Sequence, residues 1–217
     1  MIGVVDFGAG NTRSVLRALH AVGAAAGLAR TPDQLAGAER IILPGVGAAG
    51  SAMAALRRQE MIDPIRRWVA DGRPFLGICL GAQLMLDASD EDDSPGLGLV
   101  PGRCRRFPSV AAGGPRLVPH IGWNSVELPG GRAFDAYFVH GYWLDPDDPD
   151  TVIGRTEVDG FRFPSLIRAG AMVGTQFHPE KSGGPGRALL GAWSQGLLDP
   201  GRGSAQPRDR AAAGTWI

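Results

Sequence analysis

Two short stretches of the chain carry side chains that can break a bond together. Gly77-Ile78-Cys79-Leu80-Gly81 sets a thiol between an apolar run and a helical pattern, with a glycine two residues to either side. Glycines at those offsets allow a tight strand-to-helix elbow that pushes the central side chain into a crevice. A helix starting at Leu80 would point its amides and positive dipole end at the sulfur, which stabilises a thiolate and lowers its pKa. The Leu80 amide is also placed to bind an oxyanion. A lone cysteine is more often a buried packing residue; the paired glycines turn the reading toward a nucleophile.

Phe177-His178-Pro179-Glu180 supplies the proton shuttle that such a nucleophile needs. Pro179 restricts His178 to extended backbone, where residues i and i+2 share a face. Glu180 can then hold one ring nitrogen of His178 and leave the other to act as base and then acid. In isolation H-P-E is an ordinary turn; beside the elbow it completes a triad of Cys79, His178 and Glu180. His20 falls on a helical pattern and reads as structural. His120 and His140 lie on or near strands, and spacing alone leaves both open as bases. Pro44-Gly45-Val46-Gly47 ends another strand, where glycines let the peptide approach a substrate; an amide near Val46 is the expected second oxyanion donor.

The elements that must hold these residues alternate in the first 90 positions. Strands are expected at Ile2–Asp6, Ala25–Ala29, Arg40–Leu43 and Pro74–Ile78. Helices are expected at Thr12–Val22, after a Ser51 cap, at Asp63–Asp71 and at Leu80–Asp87. That alternation predicts a parallel sheet with helices on both faces and a functional crevice at the carboxyl ends of its strands. The Pro44 turn and Cys79 both fall at such ends. The second half reads as strands, at Arg103–Phe107, Arg116–Val118, Asn124–Leu128, Tyr137–Trp143, Val152–Glu157, Phe161–Arg168 and Ala171–Gln176, then a helix at Gly184–Gly196. Antiparallel or mixed pairing grafted onto the parallel sheet is expected there. One domain over 1–198 and a flexible tail over 199–217 follow from the Pro, Gly, Ala and Arg content of the last stretch.

Composition narrows the function classes. A formal net charge of zero argues against nucleic acid or an anionic membrane as partner. Two cysteines, Cys79 and Cys104, are too few for a disulfide framework and point to a reducing compartment. The N-terminal residues have no signal-peptide pattern and no apolar run is long enough to span a bilayer, so a cytoplasmic location is expected. Lys181 is the only lysine among 22 basic residues, a bias that mutation pressure alone explains.

Taken together, the motifs resemble the class I (triad) glutamine amidotransferases, and within them the glutaminase subunits of imidazole glycerol phosphate synthases. The resemblance runs from Val4 to about Leu190. It rests on D-F-G-A-G-N at 6–11 with R-S-V at 13–15, I-L-P-G-V-G-A-A-G at 42–50 and P-F-L-G-I-C-L-G-A-Q at 74–83. V-P-H-I-G-W-N at 118–124, Y-F-V-H-G-Y at 137–142 and G-T-Q-F-H-P-E-K-S at 174–182 complete it. It implies an α/β fold with a central, mostly parallel sheet, helices on both faces and an added antiparallel sheet in the second half. It further implies hydrolysis of glutamine through a thioester on Cys79, with no cofactor and no metal. The ammonia would pass through an internal channel to a (βα)8-barrel cyclase subunit, which makes imidazole glycerol phosphate and aminoimidazole carboxamide ribotide in histidine biosynthesis.

Carried onto this sequence, the family's pattern makes Cys79 the nucleophile, His178 the acid–base, Glu180 its orienter, and Val46 with Leu80 the oxyanion amides. Gly47, Gln83 and the backbone around His140, Gly141 and Tyr142 would hold glutamine. Asn11, Trp123, Asn124, Tyr137 and Lys181 would face the cyclase. Two positions depart from the family: Gly141 where many relatives carry Ser or Thr, and Ala82 where Met is common. Three rival readings stand beside this one: a non-catalytic scaffold on the same fold, a stand-alone thiol hydrolase, and a glutaminase serving another acceptor.

Overall fold

The structure is a computed structural model that describes residues 1–111, 114–115 and 118–200, with side chains described outside 111–117. In chain order the first half holds β1 (Ile2–Val5), α1 (Thr12–Ala21), β2 (Ala26–Ala29), α2 (Pro32–Ala36), β3 (Arg40–Gly45), α3 (Ala49–Arg58), α4 (Ile62–Ala70), β4 (Phe75–Cys79) and α5 (Leu80–Gln83). The second half adds β5 (Ala88–Ser89), β6 (Ser94–Pro95), β7 (Gly102–Arg106), β8 (Val110–Ala111), β9 (Gly114–Pro115), β10 (His120–Glu127), β11 (Ala133–His140) and β12 (Tyr142–Pro146). It closes with β13 (Val152–Val158), β14 (Phe161–Ala169), β15 (Met172–Thr175) and α6 (Gly183–Ser194).

Nine strands form one sheet in the order β11-β10-β13-β14-β15-β4-β3-β1-β2. From β15 to β2 every pairing is parallel, and from β11 to β15 every pairing is antiparallel. The parallel strands are unbroken apolar runs because both of their faces are covered. Along them Ile2, Val4, Ile42, Leu76 and Ile78 join one core with Val15 and Leu19 of α1 and Leu190 and Trp193 of α6. Val5, Ile41, Leu43 and Phe75, one residue out of step, join the other core with Met53 and Leu56 of α3 and Ile65 and Trp68 of α4. A second sheet, β12-β7-β5-β6, packs beside this frame.

Four expectations need correction. The helix expected over Leu80–Asp87 is a single turn, Leu80–Gln83. The carbonyls of Leu84, Met85, Leu86 and Asp87 instead accept from Leu97, Leu99, Gly98 and Gly96 of the returning segment. Ser51 does not cap α3, which starts at Ala49; the carboxylate of Glu91 accepts from the Ala49 amide at 2.7 Å. The strand expected over Tyr137–Trp143 is two strands broken at Gly141, the second of which leaves for the small sheet. The short helix α2 was not expected, although Thr31 caps it and Pro32 opens it.

The strand expected over Arg116–Val118 and the tail expected over 199–217 fall mostly outside the described residues. Asp199, placed in that tail, is held by both guanidinium nitrogens of Arg40 at 2.9 and 2.5 Å.

Candidate active site

Cys79 ends β4 with φ +52° and ψ −108°, a backbone conformation that L side chains rarely adopt. Its neighbours explain the two glycines. A Cβ on Gly77 would sit 2.8 Å from the backbone of Ala82, and one on Gly81 would collide with the carbonyl oxygen of Leu43. Only hydrogen at both positions lets the chain fold back this tightly against β3. Gly45 pairs with Cys79 across β3 and β4, so Val46 follows immediately alongside the elbow, and Gly47 takes φ +96°. With one helical turn behind Cys79, the local amides of that turn remain as donors, without the long dipole that the sequence had suggested.

β15 lies against β4, with Thr175 opposite Ile78, and this register delivers His178 to the sulfur side of the elbow. Three bonds pin the segment: the His178 amide donates to Tyr137 O at 2.9 Å, and Ser182 Oγ donates to His178 O at 2.6 Å while accepting from the Tyr137 amide at 3.0 Å. Pro179–Lys181 forms a 3-10 turn, which brings Glu180 Oε1 to accept from His178 Nδ1 at 2.8 Å, both side chains being almost fully buried. Nε2 of His178 is buried and makes no hydrogen bond. Burial pulls the imidazolium pKa down, but the Cys79 thiol and the Glu180 carboxylate outweigh it and lift it to about 10. The Cys79 sulfur thus stands close enough to the ring for a weak hydrogen bond, and for charge attraction once it is ionised, to hold the imidazolium. Asn11 Nδ2 also donates to Glu180 Oε1, at 3.4 Å.

The remaining histidines separate cleanly. His140 is buried and both of its nitrogens are occupied, by Tyr142 O at 2.7 Å and His120 at 3.0 Å. Burial drives its pKa down to about 3, and burial lowers that of His120 as well. Both nitrogens of each ring are engaged, so neither ring has one free for Cys79. Cys104 is a buried free thiol whose pKa is pushed up by burial, which disfavours its thiolate.

Gln83, one turn past the elbow, donates from Nε2 to Tyr142 O at 3.2 Å and to Gln176 Oε1 at 3.3 Å. Gln176 in turn aims Nε2 at Cys79 Sγ, 3.9 Å away. The sequence reading gave Gln176 no role, yet the signal was present, since it stands two residues before His178 in extended chain. Ser182 was likewise passed over. Of the residues expected to face a partner, Trp123 and Tyr137 are cross-strand neighbours with ring centroids 6.1 Å apart. Lys181 Nζ stands 5.7 Å over the Tyr137 ring, and Asn11 reaches the triad. Asn124 is turned to the other face of β10, where it bonds His120 and Glu157 O. Gly141 is open: a Cβ there meets only Val118 Cγ1, at 3.6 Å. A cavity of about 570 Å³ between α3, α4 and Pro95–Gly96 includes none of these residues. No group of His, Cys, Asp and Glu able to hold a metal occurs among the described residues.

The class-I glutamine amidotransferase family model matches residues 3–192. The chain belongs to the class-I glutamine amidotransferases. Among curated relatives, the imidazole glycerol phosphate synthase subunit HisH of Streptococcus sanguinis is 45% identical over 88% of this chain and 93% of its own. The protein of the same name from Herpetosiphon aurantiacus is 42% identical over 94% and 98%. Solved structures confirm the amidotransferase fold. A crystal structure of a glutamine amidotransferase superposes with TM-score 0.73 at 23% identity, covering 90% of this chain and 98% of that one. PurLQS from Thermotoga maritima gives 0.70 at 20%, covering 91% and 98%.

Proposed function

We propose that the chain is the glutaminase subunit of an imidazole glycerol phosphate synthase, and that Cys79, His178 and Glu180 hydrolyse glutamine for a cyclase partner. The observation that carries the reading is the buried His178–Glu180 pair set beside a thiol on a strained elbow. In the reaction His178 Nε2 takes the proton of Cys79 as Sγ attacks the carboxamide carbon of glutamine. The oxygen of the tetrahedral intermediate takes its charge to the amides of Val46 and Leu80. His178 Nε2 gives its proton to the departing ammonia, leaving a γ-glutamyl thioester. Water then attacks that carbon with His178 as base, and glutamate leaves as the thiol is restored. Glu180 holds Nδ1 throughout. Both N–H groups of Gln83 are already used, so its amide oxygen is what a substrate ammonium would meet; Gly47 and the 140–142 backbone complete the cradle.

Trp123 and Ile121 are exposed at 59% and 60% on β10. Together with Tyr137, Lys181 and Asn11 they form an apolar and basic face that touches the triad through Asn11 and Glu180. A (βα)8-barrel cyclase docked there would receive ammonia at the site where it is released. No helix among the described residues is long and apolar enough to cross a membrane, which fits a cytoplasmic pair of subunits.

The test is glutamate release by the chain alone, and then with the cyclase and its nucleotide ligand. A steep rise only in the complex, lost in Cys79→Ala while that variant still folds and binds the cyclase, is the expected result. A rate indifferent to the cyclase would replace this reading with a stand-alone hydrolase. Turnover by Cys79→Ala would remove Cys79 as nucleophile.

A further inference from the structure

A chain of polar groups runs inward behind the glutamine cradle, and its direction can be read from its ends. Asn124 Oδ1 accepts from the Ser125 amide at 2.8 Å and Asn124 Nδ2 donates to Glu157 O at 2.8 Å, which fixes the orientation of that amide. The same Nδ2 lies 3.3 Å from His120 Nε2, so that nitrogen must accept. A neutral His120 then carries its proton on Nδ1 and donates to His140 Nε2 at 3.0 Å. His140 therefore carries its own proton on Nδ1 and donates to Tyr142 O at 2.7 Å. The low pKa values of both rings agree with one proton on each.

At Tyr142 O this chain meets a second one coming from the nucleophile. Gln83 Nε2 donates to the other lone pair of the same carbonyl and to Gln176 Oε1, and Gln176 Nε2 points at Cys79 Sγ. The aromatic rings of Phe107, Phe138 and Phe163 lie 4.9–5.5 Å from the two imidazoles and pack around them. We propose that His140, locked in its Nδ1–H form by His120, is a positioning residue for glutamine hydrolysis that fixes the Tyr142 carbonyl and, through Gln83 and Gln176, the glutamine cradle and the thiol. If His140 offered no proton there, the carbonyl would be free to swing, Gln83 would lose an acceptor, and its substrate-facing oxygen would no longer be held.

This inference rests on the glutaminase reading, and its test separates the two. In the complex with the cyclase, His140→Phe keeps the ring volume inside the aromatic cage but removes the donor. It should raise the glutamine KM about tenfold, the size expected for one lost buried hydrogen bond, with a smaller change in kcat. His140→Asn, whose side-chain nitrogen stands near the Nδ1 position, should recover most of that loss; His140→Gln, which reaches the Nε2 position instead, should not. Imidazole ¹⁵N shifts of the wild-type chain should show His120 and His140 both protonated on Nδ1. An unchanged KM in His140→Phe, an Asn variant as impaired as Phe, or Nε2-protonated rings would overturn the proposal. If His140→Phe fails to fold, the Asn and Gln variants decide on their own. A wild-type complex that releases no glutamate would sink the glutaminase reading instead, and the ¹⁵N shifts would still judge the chain of donors.

Discussion

Two regions bury an imidazole in this molecule, and they treat it in opposite ways. At the junction of the parallel and antiparallel halves, His178 sits between a carboxylate and a thiol, and its pKa rises to about 10. On the antiparallel half, His140 sits among aromatic rings with a carbonyl and a neutral imidazole as partners, and its pKa falls to about 3. Burial acts against the charge in both places. What differs is the compensation: Cys79 and the Glu180 carboxylate, the latter at 2.8 Å, both favour the imidazolium, whereas Tyr142 O supplies only a dipole. Burial by itself therefore does not set the direction of a histidine's shift; the charge of its partners does.

The contrast can be broken most violently at the triad. Replacing His178 by Ala should cost the complex about 10³-fold or more in kcat. Glu180→Gln, which keeps a hydrogen-bond acceptor but removes the charge, should cost roughly ten times less. Steady-state glutamate release measures both, and a Glu180 variant worse than the His178 variant would reverse the roles assigned to them.

The same pair should show itself in stability. A folded pKa of about 10 against an ordinary value of 6.5 means that the folded state holds a proton that the unfolded chain sheds. That stabilisation is complete below about pH 6.5, and it is lost as pH rises through about 10. Denaturant melts of wild type and Glu180→Gln should therefore show a stability gap at neutral pH that narrows as pH rises toward and past 10. A gap that stays constant over that range would mean that the carboxylate contributes packing and not charge.

The smallest effect is expected where the chain departs from its family. A side chain at Gly141 meets only Val118 Cγ1, at 3.6 Å. Gly141→Ser should leave the glutamine KM within about twofold, since the added side chain otherwise meets open space. A large shift would show that the 140–142 backbone depends on glycine and would tie it more closely to His140.

Much of this site was legible before any fold was known, for a definite reason. The elbow and the H-P-E unit are local: glycines at fixed offsets and an extended i to i+2 pair fix geometry within five residues. The apolar runs of β1, β3 and β4 announced a doubly covered parallel sheet for the same reason. What sequence concealed was non-local. Glu91 capping Ala49 across 42 positions replaced the expected Ser51 cap. The 96–100 segment took the carbonyls that would have continued the helix past Gln83. Asn124 shares a strand with Trp123 but faces away from it, because alternate residues of β10 point to opposite sides of the sheet. The His120–His140 pair, left open as candidate bases, needed the β10–β11 register before its partners were known.

The backbone angle of Cys79 has a consequence on the timescale of descent. At φ +52° a residue with a side chain sits about 1–3 kcal/mol above a relaxed one, and glycine, one base change away from cysteine codons, would relieve that cost. With Cys79 as the proposed nucleophile, such a change at this codon would give a more stable and chemically silent chain. Lineages that draw on this nitrogen supply must keep rejecting that change, generation after generation. Where an outside source of the product relaxes the demand, the elbow is among the first places where decay should become visible.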